Sequence, residues 1–434
     1  MNKSWKISNP LLISISVACS IVYYVFAYLL KRSSFNLLLA LYSVLFVGYI
    51  FLISSDFKYK FALGLLFRAI LIFQIPNLSQ DFYRFIWDGR LMVSDLNPYL
   101  FIPVDIVDRV FDGQFLISKM GDLSAHNYSN YPPLNQLIFA IGAFLSPKNL
   151  LGNVLVLRIL IVLADIGIYI FGRKILEFLN LEKEKIHYYF LNPLVIIELT
   201  GNLHFEGVMM CFFGIGIFYF FKNRIFWAGT FIAFSILTKL LPLIMLPLFL
   251  KHTPKYAKFY LIILCNLIIA FLPFFTYDFL QNYTNTIGLW FTKFEFNASF
   301  YYLIRSIGYF FTGYNIISIY GWVSPIIIIF TITYLAFKTQ AKNPYSLLNS
   351  MLVCVFIYFI VSTTIHPWYL ITLIFINIFQ KEKYILLWSF TIFLSYSAYQ
   401  TTYFKESMIL IFLEYSVVFL LIILGKKTFL NNKI

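Results

Sequence analysis

The chain has 434 residues, of which 61% are hydrophobic and only 12% charged, and its mean hydropathy is +0.81. Water-soluble domains carry about twice that charge, which excludes a soluble globular enzyme and leaves an all-α polytopic membrane protein, because open sheet edges go unsatisfied in lipid. The net charge of +14 does not mark a nucleic-acid binder, since Lys and Arg fall in short clusters between apolar runs, the pattern of membrane anchors.

From the N-terminus, Lys3 and Lys6 precede an apolar run over 11–30 that is too long for a signal-peptide core and reads as an anchor helix. Spans are predicted at 11–30, 35–54 and 61–76, followed by a polar segment over 77–132. The next apolar stretch, 132–147, has the length of an interfacial or re-entrant piece. Further apolar runs lie at 153–175, 187–200, 205–221, 225–238, 240–250, 256–275, 316–337, 345–363, 367–380, 384–400 and 407–424. The chain is therefore expected to form one integral-membrane domain over 1–434 with about 11–14 spans. The four cysteines, Cys19, Cys211, Cys265 and Cys354, sit inside apolar runs without metal-ligand spacing and are expected as buried free thiols.

If 132–147 does not cross, roughly 20 of the 33 basic residues share one side, which the positive-inside rule makes cytoplasmic. Lys31 and Arg32 are the exception. The opposite side receives 77–147, expected as an extracytoplasmic loop with interfacial helices. Over 77–132 it holds seven aspartates against four Lys or Arg residues. Plasma membrane is the expected location, with the site on this outer face.

The polar segment opens with Gln80-Asp81-Phe82-Tyr83-Arg84-Phe85-Ile86-Trp87-Asp88-Gly89-Arg90 and continues to Asn97-Pro98-Tyr99. On a helix, Asp81, Arg84 and Asp88 share one face. Tyr83, Ile86 and Arg90 fall on another, suited to lipid headgroups, and Gly89 permits a break. The same outer face collects Tyr131-Pro132-Pro133-Leu134, Gly201-Asn202-Leu203-His204-Phe205-Glu206, Lys239 within an apolar run, and His366-Pro367-Trp368-Tyr369.

Taken together and in this order, these motifs resemble the GT-C polytopic glycosyltransferases, most closely the polyprenol-phosphate-mannose-dependent mannosyltransferases. The resemblance rests on Asp81–Gly89 with Asn97-Pro98-Tyr99, on Tyr131–Leu134, and on Asn192-Pro193-Leu194 with Gly201–Glu206. Thr238-Lys239-Leu240-Leu241-Pro242 and His366–Tyr369 complete it. Glu206 stands where many relatives carry Asp, which keeps a carboxylate with longer reach.

The resemblance implies inverting transfer of a hexose, with mannose expected, from a polyprenyl-phosphate sugar to a hydroxyl of a glycan or lipid acceptor. One carboxylate is needed as general base, and cations must stabilise the departing phosphate. Asp81 is the matched base, with Arg84 as its tuner and Asp88 as a second candidate; the plain alternative is a surface Asp–Arg pair of little energetic worth. His204, Glu206, Lys239, His366, Tyr369, Asn97, Tyr99 and Tyr131 are the expected substrate-binding residues. Lys239 and His366 are expected on the donor phosphate; for His366 the alternative is an interfacial aromatic-belt motif. No cofactor and no resident metal are expected, with a divalent cation on Asp81, His204 and Glu206 as the alternative. The competing class is a transporter or flippase, which would show broken helices near the midplane and repeat symmetry.

Overall fold

The computed structural model describes residues 8–401 and 403–431; Lys3, Lys6 and Lys433 of the charge bias lie outside the described residues. Among the described residues the structure is helical, and the single β pairing is an isolated bridge between Phe296 and Thr364. A chain in lipid must satisfy its peptide groups within each segment, and helices do so.

Seven helices among the described residues are long and apolar enough to cross a bilayer: Asn9–Tyr28, Phe35–Ser54, Leu150–Phe178, Tyr256–Phe274, Ile317–Lys338, Pro344–Val361 and Met408–Gly425. An eighth span results if Pro193–Gly201 and Glu206–Phe221, bent by 112°, count as one. The protein is thus a multi-pass integral membrane protein. The remaining apolar runs of the 11–14 expected are shorter or interrupted. Lys60–Ile70 has 11 residues and Ile225–Thr238 has 14. Leu241–Phe249 is a tight 3₁₀ segment containing Pro242 and Pro247, whose ring nitrogens donate nothing to an α-helical ladder. Apolarity sets which segments avoid water, but such breaks set how far each one reaches.

The chain folds as two compact units. One comprises Leu71–Lys183 and Ile197–Trp290, and the other Met1–Ile70, Glu184–Ile196 and Phe291–Ile434. In the first unit the Asp81–Val93 helix packs on Pro133–Leu145, with Phe85 stacked on Phe139 at 4.7 Å between ring centroids. Gly89 does not break this helix. It lies within it, where a Cβ would collide with the Phe139 carbonyl, so glycine is what lets the two backbones approach. The face of Tyr83, Ile86 and Arg90 is also not turned to headgroups. Ile86 is fully buried, Arg90 donates to the Phe111 carbonyl, and Tyr83 meets Phe115 edge-on.

In the second unit, Tyr42 stacks on Phe393 and donates to the Ser389 carbonyl at 2.6 Å. Cys19, Cys211 and Cys354 are buried thiols as expected, whereas Cys265 is exposed on an outward face of Tyr256–Phe271.

Candidate functional site

Asp81 is the first residue of its helix, where unpaired N–H groups and the helix dipole favour a carboxylate. It is half-buried. Arg84 turns not to Asp81 but to Asp88: its Nε donates to Asp88 Oδ1 at 2.7 Å, and its Nη1 donates to the carbonyls of Ser124 and Asn127 at 2.5 and 2.9 Å. Asp88 is completely enclosed, and its Oδ2 accepts from Ser129 Oγ at 2.5 Å and Gln136 Nε2 at 3.0 Å. This arrangement is a clamp that holds residues 124–136 against the helix carrying Asp81. It leaves Asp81 as the carboxylate of that face with access to solvent.

The second element is the broken span. Ile196–Gly201 is a π-helical turn, and Leu203 takes a left-handed backbone with φ +63° before the Glu206–Phe221 helix begins. The bend is held by Arg158, whose guanidinium donates to the carbonyls of Ile72, Gln74 and Thr200 at 2.6 Å each and of Gly201 at 3.1 Å. A cation over carbonyls at the end of a turn is favourable, and an arginine in a membrane segment is stable when so engaged. The bend presents His204 and Glu206. His204 Nε2 lies 3.6 Å from Glu198 Oε2, and both side chains are buried. Glu206 is the first residue of its helix, is enclosed, and pairs with Lys239 at the end of Ile225–Thr238. Asp81 is near enough for its charge to act on Glu206. The unit therefore holds the Glu206–Lys239 ion pair with Asp81 within electrostatic reach of Glu206. Lys239 keeps 22% of its side chain exposed.

Asn97, Tyr99 and Tyr131 form a separate clasp. Tyr99 is fully buried, donates to the Tyr131 carbonyl at 2.6 Å, and packs edge-on against Phe274, Phe279 and Tyr283. Asn97 Nδ2 donates to the Phe274 carbonyl at 3.3 Å, and Asn282 Nδ2 to the Tyr99 carbonyl at 3.1 Å. These contacts fasten the loop to residues 271–287. Burial keeps the Tyr99 hydroxyl protonated far into alkaline pH, as a donor requires.

Residues 24–253, more than half of the chain, match the family described as alpha-(1->6)-mannopyranosyltransferase, N-terminal domain. The chain belongs to that family. It is accordingly a membrane glycosyltransferase of a mannosyltransferase family, with a sugar donor and a glycan acceptor as its substrates. No curated protein matches it. Asp81, His204, Glu206 and Lys239 all lie within the matched residues, whereas His366 and Tyr369 lie beyond them.

His366 and Tyr369 belong to the other unit. His366 is buried, with its imidazole stacked on Trp368 at 4.3 Å and on Phe296 at 4.8 Å between ring centroids. Tyr369 meets His366 edge-on at 5.4 Å. The segment after His366 is a 3₁₀ turn of three residues leading into Leu370–Asn377.

Residues that sequence reasoning passed over are Glu198, Ser129 and Gln136. Glu198 had a readable signal, because it is an acid inside an apolar run and such residues need a partner. In the bend it faces His204, and Asn202 Nδ2 donates to it at 3.2 Å. Ser129 and Gln136 carried no such signal, since polar residues in a polar loop are ordinary. Among the described residues no group of three His, Cys, Asp or Glu side chains is placed to hold a metal ion.

Proposed function

We propose that the protein transfers mannose from a polyprenyl-phosphate donor to a hydroxyl of a glycan or lipid acceptor, at the extracytoplasmic face of the plasma membrane, in building a cell-envelope glycan. The observation that carries this reading is Asp81 at a helix N-terminus within electrostatic reach of the Glu206–Lys239 ion pair, inside the family-matched residues.

The acceptor oxygen attacks the anomeric carbon, its proton passes to Asp81, and the bond from that carbon to the phosphate oxygen breaks with the electron pair leaving on the phosphate. A single displacement inverts the anomeric centre. An alpha-(1->6) product, the linkage of the family description, then requires a β-linked mannosyl phosphate and a primary hydroxyl on the acceptor. The leaving phosphate gains a negative charge, which a nearby cation must meet. Lys239 supplies it: Arg84 and Arg158 are committed to Asp88 and to carbonyls, while the Lys239 side chain stays partly exposed. A lipid-linked donor fits a chain whose substrate can arrive within the bilayer.

The test is mannosyl transfer by purified protein in liposomes from a synthetic β-linked polyprenyl-phosphate mannose to a mannoside acceptor. Transfer by wild type and its loss in Asp81→Asn is the expected result. An Asn variant as active as wild type would remove Asp81 as base. The broken span with buried acids also suits a transporter. Movement of the polyprenyl-phosphate sugar across sealed liposomes, without transfer from any such donor, would favour that reading.

A further inference from the structure

The short connection between the first two spanning helices, Asn9–Tyr28 and Phe35–Ser54, lies at a membrane surface. Leu30 and Phe35 are buried and pin its two ends. Between them Ser34 N–H donates to the Lys31 carbonyl at 2.9 Å, closing a tight turn. That turn carries Lys31 and Arg32, the basic pair that the charge bias of the chain leaves unexplained.

Lys31 is exposed, whereas Arg32 is half-buried. The Arg32 guanidinium lies over the ring of Tyr399, 3.1 Å from the centroid, and Tyr399 in turn meets Phe404 and Phe296. An aromatic face holds a planar cation well, but it leaves the N–H donors without acceptors. Arg32 Nε is enclosed and has no hydrogen-bond partner, and the two Nη nitrogens donate to no described residue. Other shielded arginines use their donors: Arg68 and Arg158 on carbonyls, Arg84 on Asp88, and Arg305 on Glu295. Glu406, the acid nearest to Tyr399 along the chain, is taken by the Asn297 N–H at 2.6 Å and by the Tyr302 hydroxyl. Arg32 is thus an oriented cation whose terminal donors are uncommitted among the described residues.

A guanidinium fork matches the oxygens of a phosphate, and at a bilayer surface the abundant phosphates are those of phospholipids. The surroundings suit such a molecule. Phe404, in contact with Tyr399, and Leu29, three residues before Arg32, are both exposed and offer apolar surface to acyl chains. We propose that Arg32, stacked on Tyr399, binds the phosphate of an anionic phospholipid, with Lys31 adding charge beside it. The lipid then fastens the turn between the first two helices to the segment around Tyr399. The site is separate in its argument from the transfer reaction and does not rest on it.

The experiment titrates full-length, delipidated protein in detergent with phosphatidylglycerol, phosphatidylcholine and a synthetic polyprenyl phosphate. Native mass spectrometry counts the bound molecules, and unfolding temperatures are followed in parallel. Wild type should bind phosphatidylglycerol in preference to phosphatidylcholine and gain thermal stability from it. Arg32→Gln should bind it roughly tenfold more weakly, the worth of a charged hydrogen bond, and lose the thermal gain. Arg32→Lys keeps the charge without the planar fork and should recover part of the affinity. Tyr399→Leu, which removes the ring under the guanidinium, should also weaken binding, and Lys31→Gln should lose less than Arg32→Gln. Equal phosphatidylglycerol affinity in wild type and Arg32→Gln would overturn the proposal. So would a loss in Lys31→Gln as large as in Arg32→Gln, which is the mark of diffuse surface charge. Polyprenyl phosphate bound more tightly than phosphatidylglycerol, and lost in Arg32→Gln, would assign the site to a polyprenyl carrier and overturn the phospholipid assignment.

Discussion

Glu206 and Lys239, 33 residues apart, form an ion pair in which the Glu206 side chain is enclosed while the Lys239 side chain stays partly exposed. Glu206 Oε2 has no hydrogen-bond partner among the described residues. The pair is therefore asymmetric: Lys239 can add an anionic partner without leaving the protein surface, but Glu206 depends on Lys239. Lys239→Met is expected to remove the leaving-group cation and also to strand a buried carboxylate. Breaking such a pair costs about 3 kcal/mol, less the share that solvent already screens at Lys239. Glu206→Gln/Lys239→Met should regain thermal stability over Lys239→Met alone but not turnover. Regained turnover in the double variant would show that Lys239 has no part in the reaction.

Asp81→Asn keeps the size of the side chain and its place at the helix start but removes the proposed base. A fall in kcat of roughly 10²–10⁴ is expected, the range of general-base contributions, with the unfolding temperature little changed. The measurement is steady-state transfer from the polyprenyl-phosphate donor, normalised to folded protein.

Asp88→Asn should behave in the opposite sense. The enclosed carboxylate binds Arg84, Ser129 and Gln136, so its neutralisation leaves the Arg84 charge buried beside a weaker acceptor. A stability loss of about 3 kcal/mol is expected, with specific activity of the folded fraction falling far less than in Asp81→Asn. Chemical denaturation in detergent beside the transfer assay checks both parts. An Asp88→Asn protein of normal stability but without turnover would return Asp88 to the chemistry.

His252, in the loop after Leu241–Phe249, has its pKa lowered by burial from the ordinary value of 6.5 to about 4. In the unfolded chain it protonates near the ordinary value, so between these two pH values the unfolded state binds the extra proton and stability falls as pH falls. Unfolding temperatures across this window should decline more steeply for wild type than for His252→Gln. Equal slopes would show that this histidine does not contribute.

The acids and bases of the candidate site are legible in the sequence because each interrupts an apolar run or belongs to a dense polar motif; Asp81, Glu206 and Lys239 all stand out in this way. Their partners were not. Arg84 reads equally well as a partner of Asp81 three residues before it or of Asp88 four residues after it. Ser129 and Gln136, 41 and 48 residues beyond Asp88, decide the matter by drawing Asp88 into the clamp. Asn97 and Tyr99 carry the motif but serve the packing against Phe274 and Tyr283, which no local pattern announces.

By itself the sequence determined that the chain is helical and multi-pass and which polar residues interrupt its apolar runs, because lipid tests each segment separately and a charge in an apolar run is costly wherever the rest of the chain lies. Tertiary structure alone decided which of those residues meet, which runs break short of a span, and which acids are enclosed. Such outcomes depend on hydrogen bonds and close backbone contacts between segments tens of residues apart, as between Gly89 and Phe139 or Asn297 and Glu414.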